Sequence, residues 1–237
     1  MKKIVNVVLV LLLGAVVYAY SNFQDKEIQT SEKHRSSKVS TQNVLAISWQ
    51  NAFCQTHQNR RECRNVKPSA FSATHFTLHG LWPQPKNNNY CKPTKKIYLK
   101  KPLYKKLLHV MPAAASGLHQ HEWKKHGTCY GTSPEQYFED SIALLNQINS
   151  SAVRDFFVTN IGQSVSIKQV HFAFDKAFGQ GSGRKVKMKC QKGLIIELQI
   201  TLGGDISNNQ RIEPLLKNAL KAQNGCQKGR IDRVGFH

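Results

Sequence analysis

Acidic residues are scarce in this chain of 237 residues: 14 Asp and Glu stand against 34 Lys and Arg, a formal net charge of +20. A surface so short of carboxylates attracts polyanions and makes that attraction salt-dependent, so nucleic acid is the first partner class to consider, with a membrane surface or a polysaccharide as rivals. No two cysteines form a close C-x-x-C pair, which argues against a zinc cluster. No glycine-rich loop is built to cradle a phosphate; Gly179 to Gly183 precedes a basic strand and reads as a surface turn. No internal repeat recurs. Strands and helices are mixed without βαβ regularity, which points to one α+β domain.

The longest apolar run, residues 4 to 19, is shorter than the roughly 20 residues of a typical spanning helix. It follows Met1-Lys2-Lys3 and ends at Val17-Tyr18-Ala19, with small residues where a signal peptidase reads. Residues 1–19 therefore read as an export signal cleaved after Ala19, an uncleaved membrane anchor being the alternative. Six cysteines, an even number, suit the periplasm or the exterior, and sequence alone leaves all 15 pairings open. Residues 20–43 are polar and form a flexible lead-in; the folded domain is expected over 44–237.

Within that domain, strand character is found in Val44 to Trp49, in Thr74 to His79 and, most clearly, in Leu194 to Ile200. Ser133-Pro134-Glu135 caps a helix over 134–150, with Tyr137, Phe138, Ile142, Leu145 and Ile148 at helical spacing. A second helix is expected over 214–223, closed by Asn224-Gly225.

What the chain does have is concentrated in two segments: His79-Gly80-Leu81-Trp82-Pro83, and His121-Glu122-Trp123-Lys124-Lys125-His126-Gly127-Thr128-Cys129. On a helix, Lys125, Glu122 and His126 fall at roughly 40°, 100° and 140° from His121, so one face carries four polar groups. A zinc protease needs histidines at i and i+4; here the spacing is i and i+5, and the ammonium of Lys125 takes the ligand position, so no metal site is expected. Taken singly, each piece has a plain reading: His79 could end a strand, and the charged helix could be a solvated face. In combination, three imidazoles, a carboxylate and an ammonium in a basic chain are the set needed to cleave a phosphodiester without a metal. Trp82 reads equally as a platform for base stacking and as core packing. Lysines 86, 92, 95, 96, 100, 101, 105 and 106, interleaved with Tyr90, Tyr98 and Tyr104, lie between the two segments and could guide RNA.

Phe76 to Pro83 and His121 to Cys129 resemble the two active-site signatures of the ribonuclease T2 family. Ser48-Trp49-Gln50-Asn51-Ala52-Phe53-Cys54 and Arg61-Glu62-Cys63-Arg64 resemble the amino-terminal region of its bacterial members. Where many eukaryotic members place an aromatic pair, this chain has Gly117-Leu118-His119-Gln120. The resemblance covers 44–237. It implies a disulfide-stabilised α+β domain with a central antiparallel sheet flanked by helices, and pairings of Cys54 with Cys63, Cys91 with Cys129, and Cys190 with Cys226. It also implies an exported endoribonuclease without a cofactor, cutting single-stranded RNA through a 2′,3′-cyclic phosphate. His126 would be the base and His79 the acid, with His121 on the phosphate and Glu122 and Lys125 at the transition state. DNA, lacking the 2′-hydroxyl, would not be cut. The protein would be a monomer that meets a membrane only if residues 1–19 are retained. The alternative is a protein of this type that binds RNA or another polyanion without cleaving it.

Overall fold

The computed structural model describes residues 39–64, 66–206 and 211–236. The export-signal, anchor and lead-in readings fall on residues outside that set, apart from the last few of the lead-in. Among the described residues, no helix is long and apolar enough to cross a membrane.

Six strands form one sheet: β1 (Gln42–Ser48), β2 (Thr77–Pro83), β3 (Ser164–Ser166), β4 (Val186–Gln191), β5 (Leu194–Gly203) and β6 (Lys228–Arg230). The order is β2-β1-β5-β6-β3, with β4 on β5. Every pairing is antiparallel except one parallel contact between β5 and β6, at Leu194 and Arg230. Seven helices flank the sheet among the described residues: α1 (Gln50–Thr56), α2 (Lys101–Val110), α3 (Leu118–Lys125), α4 (Pro134–Asn149), α5 (Ala152–Thr159), α6 (Ile167–Phe178) and α7 (Ile212–Lys217).

The helix expected from Ser133 forms as read. The serine hydroxyl accepts from the Gln136 amide at 3.2 Å, Pro134 takes the first turn, and Tyr137, Phe138, Leu145 and Ile148 are buried along one stripe. This helix covers the outer edge of β2. The Tyr137 hydroxyl donates to the Leu81 carbonyl at 2.9 Å and accepts the Leu81 amide at 3.3 Å, while the Asn149 amide group exchanges two hydrogen bonds with the backbone of Phe76. An otherwise open edge is thereby satisfied. Asn149 opens an Asn-Ser-Ser sequon, but its side chain is buried and already engaged.

Two expectations need correction. The strand read over 74–79 begins at Thr77, because Phe71–Ala73 form a 3-10 turn, and it runs on through Pro83. The helix read over 214–223 is short and stops at Lys217. Beyond it the backbone serves the sheet instead: the Leu220 carbonyl accepts from the Thr201 hydroxyl at 2.7 Å, and the Ala222 amide donates to the Arg184 carbonyl at 2.9 Å. Tertiary hydrogen bonds there replace helical ones.

Trp49 is fully buried in an aromatic triad with Phe76 and Phe157, ring centroids 4.6–5.3 Å apart, and its indole N–H donates to the Asp232 carbonyl at 2.7 Å. Removing such a side chain costs about 3–5 kcal/mol. Cys54 is bonded to Cys63, Cys91 to Cys129 and Cys190 to Cys226.

Candidate active site

β1 and β2 pair residue for residue until Ala46 faces Gly80; the next pair is Ile47 with Leu78, so His79 is an extra residue in β2. Such a bulge breaks strict alternation and re-aims a side chain. It brings His79 to the same side as Gly80. There the missing Cβ matters: one built at Gly80 would lie 2.0 Å from Glu122 Oε2 and 2.8 Å from Trp82 Nε1. Glycine at this position lets the carboxylate of α3 reach the strand.

Helix α3 supplies the second half. Its last residue is Lys125, and His126 caps it, the His126 amide donating to the Glu122 carbonyl at 2.9 Å. Glu122 is buried and turned toward β2, whereas His121 is exposed at the rim of a cleft. Gly127 allows the close packing that follows, since a Cβ there would come within 2.2 Å of the Trp123 ring.

Trp82 connects the two segments in a way neither of its readings describes. It is half-buried, its Nε1–H donates to Glu122 Oε2 at 2.8 Å, and its ring centroid lies 5.2 Å from that of His79 and 5.3 Å from that of His126. The indole thus packs against both imidazoles and is tied to the carboxylate.

The site pushes its titratable groups apart. Burial alone would lower His79, but its hydrogen bond to Glu197 and the charges of Glu197 and Glu122 outweigh that and raise it above the ordinary imidazole value. Burial, then the neighbouring Lys125 ammonium, brings His126 down to about 3. His126 Nδ1 is buried with no hydrogen-bond partner among the described residues. Burial and Lys125 also lower His121. Glu122 is raised, burial outweighing the pull of His79 and Trp82. One imidazole raised and one lowered, both packed against Trp82 beside a buried carboxylate, form an arrangement suited to acid–base chemistry.

Sequence reasoning passed over Glu197. It is a buried carboxylate on β5, and its Oε2 lies 2.6 Å from His79 Nδ1. A signal was available: one carboxylate in the otherwise apolar run Leu194-Ile195-Ile196-Glu197-Leu198 has to be paired if the strand is buried.

Beside His79 a cleft of about 480 Å³ opens. Its lining includes Ser48, Gln50, Thr77, His121, Lys189 and Glu197. Two of its lining residues are joined where Ser116 donates to Glu62 at 3.2 Å. Gln50, at its floor, is buried and hydrogen-bonded to Thr77. The eight lysines between the signatures are all exposed, and none lines this cleft. Their segment is fastened along α3: Tyr90 donates its amide to the Lys125 carbonyl, Gln120 brackets the Ile97 backbone, Trp123 donates to the Thr94 hydroxyl, and Cys91 is bonded to Cys129. Among the described residues, no group of three or more His, Cys, Asp or Glu is placed to hold a metal ion.

Comparison with known proteins agrees with this geometry. The Ribonuclease T2 family matches residues 40–213. Ribonuclease I of Escherichia coli (strain K12) is 29% identical over 81% of this chain and 86% of its own length. Ribonuclease S-7 of Nicotiana alata is 27% identical over 69% of this chain and 78% of its own. Two solved structures share the fold. The self-incompatibility-associated SF11-RNase of Nicotiana alata has a TM-score of 0.56 at 19% identity, covering 84% of this chain and 100% of that one. A mutant of RNase MC1 in complex with 5′-UMP has a TM-score of 0.60 at 18% identity, covering 81% and 99%. With a match spanning most of the domain and both active-site segments inside it, the chain belongs to the ribonuclease T2 family, the T2-type endoribonucleases.

Proposed function

We propose that this protein cleaves single-stranded RNA by transesterification without a metal ion, leaving a 2′,3′-cyclic phosphate. The observation that carries the reading is the pair His79 and His126, both packed against Trp82 and shifted in opposite directions. RNA brings its own nucleophile, so the enzyme has three tasks: take the 2′-hydroxyl proton, stabilise the phosphorane, and give a proton to the departing 5′-oxygen. His126, held neutral, is the base. His79, whose shift upward favours its protonated form, is the acid, and its Nε2 is the nitrogen free to act, standing 3.7 Å from Glu122 Oε1, too far for a hydrogen bond. His121 at the rim holds phosphate, and the Lys125 ammonium offsets the charge that develops on the phosphorane. Glu122, tied to Trp82, completes the transition-state site beside Lys125.

Trp82 packs against both acid and base, and base stacking on its exposed part is compatible with that. The exposed lysines of 86–106 draw RNA to the surface beside α3. Three disulfides and the apolar start support export to the periplasm or the exterior, with residues 1–19 removed and the catalytic domain following the lead-in.

The test is incubation of oxidised protein with single-stranded RNA and a matched DNA, in excess chelator near pH 6, with the termini identified. Cyclic phosphate ends from RNA alone are expected. RNA bound but left intact would favour the binding-only alternative, and cleavage lost only with chelator would overturn the metal-free mechanism.

A further inference from the structure

We infer that Glu197 is the positioning residue of His79, fixing by its hydrogen bond to Nδ1 both the ring's orientation and the tautomer that leaves Nε2 for the leaving oxygen. This rests on the reading of His79 as the general acid. Four features of the structure support it.

First, His79 is the bulged residue of β2 and has no partner across the ladder, so the sheet alone does not fix its side chain. Second, Glu197 sits on β5, which is paired on both sides, with Ser48 of β1 on one flank and Lys189 of β4 on the other. A group on a doubly paired strand is a rigid reference point. Third, both carboxylate oxygens are held. Oε2 meets His79 Nδ1 at 2.6 Å; Oε1 accepts from Gln199 Nε2 at 2.8 Å and faces Lys189 Nζ at 3.3 Å. A carboxylate clamped in this way can only accept, so Nδ1 must carry the proton and the exchangeable proton is the one on Nε2. Fourth, the carboxylate side chain is only 6% exposed. Burying a charge is costly, and well-packed apolar residues often replace a buried ion pair without loss of stability. Stability alone therefore gives weak grounds for a glutamate here, whereas a duty toward His79 gives strong ones.

The charged and titratable groups around His79 come from three elements: Glu197 on β5, Lys189 on β4, and His121, Glu122 and Lys125 on α3, with His126 at its cap. The two carboxylates favour protonated His79, while Lys189 opposes it. Burial opposes ionisation of Glu197, but its contacts with His79 and Lys189 win and hold it below the ordinary carboxylate value. It thus stays charged wherever His79 titrates.

The experiment compares Glu197→Gln, His79→Ala and the double variant on two substrates. One is RNA, whose leaving alkoxide needs a proton; the other is a uridine 3′-(4-nitrophenyl phosphate), whose leaving phenolate does not. Expected for Glu197→Gln is a 10- to 1,000-fold fall in kcat on RNA, little change in KM, near-normal turnover of the aryl ester, and an alkaline limb of the pH profile moved to lower pH. In the His79→Ala background the second substitution should add nothing. Equal losses on both substrates, or a further loss on top of His79→Ala, would overturn the inference. Near-normal RNA cleavage by His79→Ala would instead overturn the reading of His79 as acid, whatever Glu197 does. Should Glu197→Gln not fold, ¹⁵N shifts of His79 in the unaltered protein decide: Nδ1 protonated across the whole titration supports the inference, and proton loss from Nδ1 rather than Nε2 refutes it.

Discussion

The indole N–H of Trp82 donates to the buried carboxylate of Glu122 across 2.8 Å, joining residues 40 apart in the chain. This hydrogen bond ties the bulged strand to α3. Glycine at position 80 is the space through which the carboxylate passes.

Gly80→Ala puts a methyl group where Glu122 Oε2 now lies. The carboxylate must swing away from Trp82, so a fall in kcat of about 100-fold or more is expected, with a stability loss of about 1–3 kcal/mol. Steady-state kinetics beside a thermal melt separate the two. Loss of activity no greater than the unfolded fraction would show that the placement of Glu122 is unimportant.

Glu122→Gln tests function against stability. The folded protein raises this carboxyl above its ordinary value, so the unfolded chain ionises first and folding is penalised as pH rises from about 4.5 upward. The amide removes that penalty. At neutral pH the variant should melt no lower than the parent, while RNA turnover drops about 100-fold or more. A clear fall in Tm at pH 7 with intact activity would contradict both parts.

Tyr137→Phe deletes one hydroxyl that serves both the amide and the carbonyl of Leu81, two residues beyond the bulge. Burial pushes this phenol well up in pKa, so it stays neutral and keeps its proton to donate. Leaving two backbone groups unpaired should cost about 1–3 kcal/mol. Faster amide exchange at Leu81 would show that the strand edge has loosened, and unchanged exchange would show that water takes the place of the hydroxyl.

The pH profile of kcat/KM follows from the opposed imidazoles. His79 is raised, so the acid is lost only as pH climbs through a value above the ordinary 6.5; His126 is lowered, so the base remains available through mildly acidic pH. A plateau from mildly acidic pH to near neutrality, falling on the alkaline side, is expected from initial rates on a dinucleotide. An alkaline limb below pH 6 would contradict the pairing of His79 with the two carboxylates.

Much of the site was legible because its residues are adjacent in sequence. His121, Glu122 and Lys125 lie on one short helix and His126 caps it, so helical periodicity alone keeps them near one another. His79 and Trp82 announced themselves by company rather than by geometry. Regular alternation in β2 did not foretell the bulge, since an extra residue is defined only against the strand opposite. The early end of α7 was equally hidden, because the groups that capture its downstream backbone, Thr201 and Arg184, lie elsewhere in the chain.

By itself, the sequence determined the basic charge, the α4 helix with its Ser133 cap, the central β5 strand and the two segments that carry the family signature, all of which are read from composition or from neighbours a few residues apart. Tertiary structure decided the rest. It chose one cysteine pairing from 15, packed Trp82 against two imidazoles, and brought Glu197 across 118 residues to His79. Such contacts exist only after the sheet has closed, and a pairwise distance between remote residues leaves no periodic trace in the chain.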